Sequence, residues 1–376
     1  MLIERTIYNS IKKVLLGDRR VIVIYGPRQA GKTTLTKQLI SILPADEVKL
    51  YQGDDLRVQE AFSQPILDKL ATAIGGKKYL VIDEAQRIPN IGLVLKLIHD
   101  QLPVQIIVTG SASFDLANQL NEPLTGRTST FYLYPLSLKE LDKPLLKDSL
   151  EFYQTIMRFG CYPKLLNIVD ETEKQNYLKE LINNYLYQDI LAFDQVRKPK
   201  KVVDLLTLLA LQIGGEVSIR ELSSNLSLAK PAVERYLDIL EKMFIIFNLR
   251  GFSRNLRKEI NKTSKYYFWD LGLRNALIQN FNQFSVRNDI GACFENMAIV
   301  ERMKSLNNEG KTANFYFWRT YDQKEIDLIE EREGKITAFE FKWKTDRVKP
   351  PSEFLATYPN SDFRLITGDN LNGLVI

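Results

Sequence analysis

The sequence has little of what metal clamps and disulfide frameworks need. Of its 376 residues, two are cysteine and one is histidine. Cys161 and Cys293 lie too far apart in sequence for a local metal clamp, and two thiols cannot form a disulfide framework. His99 falls on an amphipathic stretch far from the acidic residues near the C-terminus, so we expect a structural role for it. These shortages exclude a zinc site and a histidine-dependent nuclease.

Long apolar runs are also missing. The longest, such as residues 21–25 and 243–247, are much shorter than the ~20 residues that cross a bilayer. Charged residues interrupt the first 17 positions, unlike in a signal peptide. We therefore expect a cytoplasmic protein without membrane association. A composition of 45% hydrophobic and 26% charged residues is typical of a folded chain of two to three domains.

The positive charge is local. The whole chain carries a net charge of +5, but residues 197–265 alone carry +7, so the remainder is close to neutral. An excess confined to one segment points to a local contact with an anionic partner rather than to a basic protein.

The strongest motif is a phosphate-binding loop. It fits G-x-x-x-x-G-K-[ST] and lies between a predicted strand at residues 21–25 and a predicted helix. Backbone N–H groups of such a loop bind phosphate oxygens. We expect ATP and Mg²⁺ here, with Lys32 between the β- and γ-phosphates and Thr33 on the metal. The predicted nucleotide-site residues are Gly26, Pro27, Arg28, Gln29, Ala30, Gly31, Lys32, Thr33 and Thr34.

An acidic pair supports this interpretation. The predicted strand at residues 79–82 is followed by Asp83 and Glu84. A carboxylate at the end of a buried strand can hold Mg²⁺, and a following glutamate can activate the attacking water. The pair favours ATP hydrolysis, with Asp83 as a metal ligand and Glu84 as the catalytic base.

Three further polar residues are candidates with an alternative each. Thr109 is the last residue of a predicted strand at residues 106–109, and Ser111 follows it. One of the two hydroxyls either senses the γ-phosphate or caps a turn. Arg127, before a predicted strand at residues 130–133, either stabilises transition-state charge or is an ordinary surface arginine. If it is catalytic, it acts in its own subunit or in a neighbour's within a homo-oligomer.

The order of these elements predicts an α/β fold. Strands at residues 21–25, 48–51, 79–82, 106–109 and 130–133 alternate with amphipathic stretches, which indicates a parallel sheet covered by helices. We predict an ATPase core at residues 1–145 and a helical lid or connector at residues 146–200. Two more domains are predicted at residues 201–275 and 276–376.

The chain resembles a family in these motifs together with four others. They are Ile-Asp-Glu-Ala-Gln-Arg-Ile-Pro at 82–89, Thr-Gly-Ser-Ala at 109–112, Leu-Thr-Gly-Arg at 124–127 and Tyr-Pro-Leu-Ser at 134–137. The resemblance is to prokaryotic AAA-type ATPases with a C-terminal domain of unknown function, over nearly the whole chain. It implies a P-loop NTPase parallel sheet of the additional-strand, catalytic-glutamate type. The family's Gly-Gly-Tyr-Pro-Glu segment reads Phe-Gly-Cys-Tyr-Pro-Lys at 159–164 here.

The basic segment has the pattern of a winged helix. Ser218 can cap a helix at residues 219–226, and a turn leads to a second helix. Strands at residues 245–250 and 266–269 flank a tip with Arg254, Arg257, Lys258, Lys262 and Lys265. We expect the second helix in the DNA major groove and the tip on phosphates. The alternative is a protein-docking module with solvated cations. The predicted DNA contacts are Lys230, Arg235, Arg254, Arg257 and Lys258.

The last hundred residues hold a sparse acidic motif. Asp327 lies in a predicted strand at 326–329, and Glu340 and Lys342 share one face of a strand at 338–341. The pattern resembles the restriction-endonuclease-like, or PD-(D/E)xK, α/β core, in which Glu295 matches the acid of the preceding helix. It implies a second Mg²⁺ or Mn²⁺ and DNA cleavage, with Arg319 facing phosphate. The alternative is a Glu340–Lys342 ion pair on a binding module.

Three functions follow from these patterns. The first is Mg-dependent ATP hydrolysis coupled to DNA binding or remodelling. The second is an ATP-dependent switch that docks protein partners without acting on DNA. The third is an ATP-regulated nuclease.

Overall fold

The computed structural model describes residues 3–111, 120, 123–141, 150–184, 198–252, 264–320, 322–344 and 347–375. The chain forms two compact units. The first consists of Met1–Pro135 with Lys242–Phe244, and the second of Leu136–Glu241 with Ile245–Ile376. Each unit has its own sheet.

The first unit contains a parallel five-stranded sheet. Its strands are β1 (Val21–Tyr25), β2 (Val48–Gln52), β3 (Tyr79–Asp83), β4 (Gln105–Gly110) and β5 (Thr128–Tyr132). The strand order is β2-β3-β4-β1-β5. All five predicted strands are therefore confirmed. Because β4 separates β1 from β3, an additional strand lies between the phosphate loop and the acidic pair.

Helices cover this sheet and bury its central strands. They are α1 (Tyr8–Leu16), α2 (Lys32–Ile40), α3 (Leu56–Phe62), α4 (Leu67–Ile74) and α5 (Ile91–Gln101). The run Val-Ile-Val-Ile-Tyr of β1 is buried throughout, as expected for a central parallel strand. Ile11 and Leu15 of α1 are four residues apart and pack with Leu35 and Leu39 of α2. The carboxyl ends of β1, β3 and β4 lie at one sheet edge, which brings their following residues together.

The second unit contains nine helices and seven strands within its described residues. The helices are α6 (Leu150–Phe159), α7 (Glu171–Asn184), α8 (Pro199–Leu211), α9 (Ile219–Leu226), α10 (Lys230–Lys242), α11 (Leu271–Leu277), α12 (Ile290–Asn308), α13 (Ser352–Thr357) and α14 (Asn372–Val375). The strands are β6 (Glu216–Val217), β7 (Ile246–Gly251), β8 (Ser264–Phe268), β9 (Asn314–Arg319), β10 (Glu325–Arg332), β11 (Lys335–Lys342) and β12 (Ser361–Thr367).

The seven strands form one mixed sheet in the order β12-β11-β10-β9-β7-β8-β6. The join is the parallel pair of β7 and β9, in which Gly251 is opposite Phe317. The segments predicted at residues 201–275 and 276–376 therefore share a sheet and a compact unit. The boundaries at residues 145, 200 and 275 stay predictions about modules of the sequence, not about separate bodies.

The predicted helix pair and hairpin strands of the basic segment are present. Ser218 caps α9 by accepting a hydrogen bond from the Glu221 N–H at 3.3 Å. The second strand starts earlier than expected, at Ser264, so Lys265 lies inside β8 and is 1% exposed. Its predicted place at the tip is wrong, because Lys265 itself pairs with Leu249 of β7. Arg254, Arg257, Lys258 and Lys262 lie outside the described residues.

In the part of the chain that the structure describes, no helix is both long and apolar enough to cross a membrane.

Candidate functional site

The phosphate loop curves tightly onto the end of β5. A Cβ atom on Gly26 would lie 2.1 Å from the Leu133 carbonyl oxygen, so only glycine fits there. Gly31 begins α2 with φ of +100°, a conformation that glycine adopts readily. Lys32 is 4% exposed, and its Nζ donates to the carbonyl oxygens of Gly26 and Pro27, each at 2.9 Å. The ammonium group therefore lies against the loop itself.

Asp83 joins the phosphate loop to the neighbouring strand. The hydroxyl of Thr33 donates to Asp83 Oδ2 at 2.6 Å, and the hydroxyl of Thr109 donates to Asp83 Oδ1. Thr109 also accepts from the Glu84 N–H at 3.2 Å. Side chains at or just after the carboxyl ends of β1, β3 and β4 thus lie together, with oxygen atoms that suit Mg²⁺.

Glu84 has a strained backbone. Its φ of +53° is in the left-handed region, which is uncommon for a side chain of this size. Such strain costs about 1–3 kcal/mol and is typical of functional positions. The bend ends β3 and turns the chain into a short 3₁₀ segment at Ala85–Arg87.

Gln86 connects Glu84 to Ser111, a link that sequence reasoning missed. Its Nε2 donates to Glu84 Oε2 at 2.5 Å and to Ser111 Oγ at 3.0 Å. The amide orientation is fixed by the carboxylate, because an amide oxygen so close to it would be repelled. The motif Ile-Asp-Glu-Ala-Gln could have indicated this contact, since Gln86 is only two residues after Glu84.

The structure distinguishes the two hydroxyl candidates of β4. Thr109 uses its hydroxyl as donor to Asp83 and acceptor from Glu84, which makes it part of the support for the acidic pair. Ser111 accepts from Gln86, so its own O–H can still donate to another group. The γ-phosphate role therefore suits Ser111 better.

Arg5 is a second residue that sequence reasoning missed. It is 6% exposed, and its guanidinium donates to the carbonyl oxygens of Ala30 at 2.8 Å and Tyr134 at 2.7 Å. It therefore fixes the phosphate loop to the chain that follows β5. Its position before an amphipathic helix gave no signal of this contact.

Arg127 lies at the amino ends of the strands, whereas the phosphate loop lies at their carboxyl ends. Its carbonyl oxygen accepts from the Val21 N–H at 2.9 Å, beside the first residue of β1. Five strand residues, about 16 Å, separate this edge from the loop. Its guanidinium contacts Asp100, which lowers the pKa of that carboxyl below its ordinary value. A catalytic role in its own subunit is therefore wrong, and a role in a neighbour's site stays a prediction.

The C-terminal acidic cluster is assembled as the sequence predicted. Strands β10 and β11 form an antiparallel hairpin with Leu328 opposite Phe339, which places Asp327 beside Glu340. Lys342 Nζ lies 2.7 Å from Glu340 Oε1 and 4.0 Å from Asp327 Oδ2. Glu295 of α12 is close enough to raise the pKa of Asp327 electrostatically. The four predicted side chains therefore share one site, which we call the C-terminal cluster.

The pKa values in this cluster reflect burial and crowding of acids. Burial, and then the charges of Glu295 and Glu340, raise the pKa of Asp327 well above its ordinary value. Burial also raises the pKa of Glu295. Burial disfavours the charged form of Lys342, but Asp327 and Glu340 outweigh it, so the pKa of Lys342 is raised.

The sequence did not indicate that Lys265, Glu325 and Tyr267 lie beside the C-terminal cluster. Lys265 of β8 lies 3.7 Å from Glu295 Oε1 and donates a hydrogen bond to Glu325, and Tyr267 donates to Glu295. Period-two alternation places Lys265 and Tyr267 on one face of β8, but the sequence does not show which face meets Glu295. Arg319, predicted to face phosphate, instead contacts Glu216 at 3.1 Å and Glu325 at 3.6 Å.

Comparisons with known proteins place family boundaries on the chain. Residues 18–142 match an AAA domain, residues 150–283 match a domain of unknown function (DUF8612), and residues 290–372 match another (DUF4143). An uncharacterized protein of Mycobacterium tuberculosis is 27% identical over 347 residues, which cover 91% of this chain and 74% of that protein. One of Methanocaldococcus jannaschii is 26% identical over 402 residues, covering 98% and 89%.

Solved structures overlap this chain only loosely. AMPPCP-bound DnaA from Aquifex aeolicus is 15% identical with a TM-score of 0.35, covering 62% of this chain and 86% of that one. The Bacillus subtilis DNA clamp loader delta protein is 13% identical with a TM-score of 0.30, covering 62% and 87%.

The family matches support an AAA-type P-loop ATPase with a C-terminal domain of unknown function.

Residues 159–162 of the segment that departs from the family's pattern are buried. Gly160 has φ of +76°, and a Cβ there would lie 2.0 Å from the Asp270 carboxylate. That carboxylate accepts from the Cys161 N–H at 2.7 Å, and Cys161 in turn accepts from the Leu136 N–H at 2.9 Å. Burial raises the pKa of the Cys161 thiol well above its ordinary value, which suits a packing thiol.

Only some of the predicted DNA contacts lie within the described residues. Lys230 and Arg235 are exposed on α10. The same helix carries Glu234, Asp238 and Glu241, so its charges balance. The excess positive charge of the segment therefore lies elsewhere, and four of its cations are in residues 253–263.

Proposed function

We propose that this protein hydrolyses ATP with Mg²⁺ at the carboxyl edge of the parallel sheet. The observation that carries the proposal is the 2.6 Å hydrogen bond from Thr33 to Asp83, which joins the phosphate loop to the acidic strand. Thr33 and Asp83 would hold the metal through oxygen atoms, and the ion would neutralise phosphate charge. The AAA match over residues 18–142 supports the same assignment.

The remaining residues of the site take complementary roles. Lys32 leaves the carbonyl oxygens of the loop for the β- and γ-phosphates, to which backbone N–H groups of the phosphate loop also donate. Glu84 accepts a proton from the attacking water. Ser111 donates to the γ-phosphate. Each role uses an atom that lies at the same sheet edge.

The test is ATP turnover beside nucleotide affinity in Glu84→Gln. We expect turnover to fall about 100- to 10,000-fold, because the general base is lost. Affinity for a fluorescent ATP analogue should stay near that of the wild type. Glu60→Gln, an exposed change on α3, is the matched control. Equal turnover in Glu84→Gln and wild type would remove Glu84 from the mechanism.

We further propose that hydrolysis is coupled to DNA. The helix, turn, helix and hairpin order of residues 199–268 supports a winged helix, and the +7 charge of residues 197–265 supports a phosphate-binding surface. Because α10 is neutral overall, Arg254, Arg257 and Lys258 should supply more of the affinity than Lys230 and Arg235.

The coupling is tested with single-stranded, duplex and branched DNA. ATP turnover should rise with at least one of them. Replacing Arg254, Arg257 and Lys258 by alanine should weaken binding and lower the salt dependence by about one unit per cation removed. Lys12→Ala is a control outside the basic segment. Indifference of turnover to every DNA would favour the protein-docking switch, which predicts tight nucleotide retention and slow turnover.

DNA cleavage is a separate hypothesis. The adjacency of Glu295, Asp327, Glu340 and Lys342 supports it. The Glu340–Lys342 ion pair equally fits the alternative of a binding module. Plasmid incubated with Mg²⁺ or Mn²⁺ tests the nuclease hypothesis directly, with Asp327→Ala and Glu340→Ala as comparisons. Cleavage that both variants retain would exclude this cluster as its source.

A further inference from the structure

We propose that Lys265 occupies the place of a metal ion in the C-terminal cluster, so that the domain keeps its acids together without a divalent cation. The inference is independent of ATP hydrolysis.

The Lys265 ammonium lies beside the cluster, next to its Glu295 carboxylate. Its side chain is 2% exposed and contacts Glu295 of α12 at 3.7 Å and Glu325 of β10 by a hydrogen bond. Its Nζ also lies 5.4 Å from the centre of the Phe317 ring. Carboxylates from two separate elements therefore share one fixed cation, as they would share a metal.

The carboxylate oxygens are already bound. Asp327 Oδ2 accepts from the Phe341 N–H at 2.8 Å, and Glu295 Oε1 accepts from the Tyr267 hydroxyl. Glu340 Oε1 pairs with Lys342 at 2.7 Å. Across the described residues, no group of three or more acids, cysteines or histidines has the geometry to hold a metal. The donor set that the fold resemblance implies therefore does not fit a metal as arranged.

Lys265 is held in place by its strand. It lies in β8, paired with Leu249 of β7 on one side and Glu216 of β6 on the other. Its removal from the cluster would require both strand pairs to shift. Burial disfavours its charged form, but Glu295 and Glu325 outweigh burial and raise its pKa above the ordinary value. The group therefore stays a cation at neutral pH.

A divalent ion at the cluster and this ammonium would draw on the same negative charge, because Glu295 and Asp327 both act on Lys265 electrostatically. Two cations a few ångströms apart repel each other strongly in a buried site. Removing Lys265 while keeping the acids leaves buried negative charge without a partner, which is the condition that favours metal binding. The cluster should thus exclude Mg²⁺ and Mn²⁺ with Lys265 present and accept one when it is replaced.

The experiment counts bound Mn²⁺ by electron paramagnetic resonance on the full chain without nucleotide. All variants carry Asp83→Asn, which removes one of the two proposed metal ligands of the ATP site. We expect no Mn²⁺ at sub-millimolar concentration in this background or with Lys265→Arg. Lys265→Met should bind one ion, and Lys265→Met with Asp327→Asn should bind none.

Thermal unfolding provides a second readout. Mn²⁺ should raise the Tm of Lys265→Met but not that of the Lys265 background, since a ligand stabilises only the state that binds it. A folded Lys265→Met chain that binds no Mn²⁺ would overturn the proposal. The proposal would also be wrong if the Lys265 background bound Mn²⁺ and Asp327→Asn abolished that binding. This second outcome can be observed without any substitution at Lys265.

Discussion

Asp83 and Asp327 are both buried carboxylates at strand positions, yet their partners differ in charge. Asp83 accepts hydrogen bonds from the neutral hydroxyls of Thr33 and Thr109, and the nearby Lys32 donates to loop carbonyl oxygens. Asp327 accepts from a backbone N–H and lies 4.0 Å from the Lys342 ammonium, in a cluster that also contains Lys265.

The difference determines what each site can still bind. Hydroxyl partners orient a carboxylate without neutralising it, so a metal ion can still gain from its charge. Ammonium partners neutralise the charge and occupy the space. The first unit is therefore arranged for a cation that arrives with nucleotide, and the second for cations that belong to the chain.

The largest effect is expected from a buried ion pair of the second unit, which tests whether its buried carboxylates depend on lysine partners. Glu301 and Lys304 of α12 have side chains 2% and 3% exposed, with a 3.0 Å contact. Lys304→Met should lower the free energy of unfolding by about 3–5 kcal/mol, because Glu301 would keep an unpaired buried charge. Urea denaturation measures this.

The matched control for that change is Lys311→Met. Lys311 pairs with Glu309 at 2.6 Å, but its side chain is 51% exposed. We expect a loss below about 1 kcal/mol, as for other surface pairs. Equal losses in the two variants would contradict the idea that the buried lysines of this unit are essential counterions.

The corresponding test in the first unit is Lys32→Ala. ATP turnover should fall about 100- to 1,000-fold, because a charged donor to the phosphates is lost. Stability should change little, since the two hydrogen bonds described for the ammonium go to carbonyl oxygens of the loop itself. Lys37→Ala, exposed on the same helix, is the control and should turn over like the wild type. A large loss of stability in Lys32→Ala would erase the contrast between the units.

Gln86 tests whether neutral partners position the base. Gln86→Ala should lower turnover about tenfold with unchanged nucleotide affinity, because one hydrogen bond to the Glu84 carboxylate is lost. Gln86→Glu should move the acid limb of the turnover profile to higher pH, since two adjacent carboxylates resist ionising together. A purely structural role predicts no shift of that limb.

The smallest expected effect is a pH dependence of stability from Asp327. Its pKa is raised above 3.8 in the folded protein, so it favours folding below that pH and loses the contribution as pH rises through the folded pKa. Asp327→Asn should flatten this decline in urea denaturation across pH, whereas exposed Asp362→Asn should not. A decline unchanged in Asp327→Asn would show that the carboxyl titrates normally.

Much of the fold was readable from local pattern. The apolar runs predicted all five strands of the first sheet, and alternation put Glu340 and Lys342 on one face of β11. Strand β12 was missed, because Ser361–Thr367 mixes polar and half-buried positions at a sheet edge. The join of β7 to β9 was also missed, since Arg250 and Tyr316 are 66 residues apart and their pairing leaves no pattern in either segment.

The sequence by itself determined the phosphate loop, the acidic pair and the alternation that puts Glu340 and Lys342 on one face. Each depends on residues close together in the chain, whose geometry follows from backbone sterics. Only the tertiary structure decided that Arg127 lies at the far sheet edge, that Gln86 bridges Glu84 and Ser111, and that Lys265 enters the acidic cluster. Those contacts depend on strand order and register, which arise from burying the whole sheet at once.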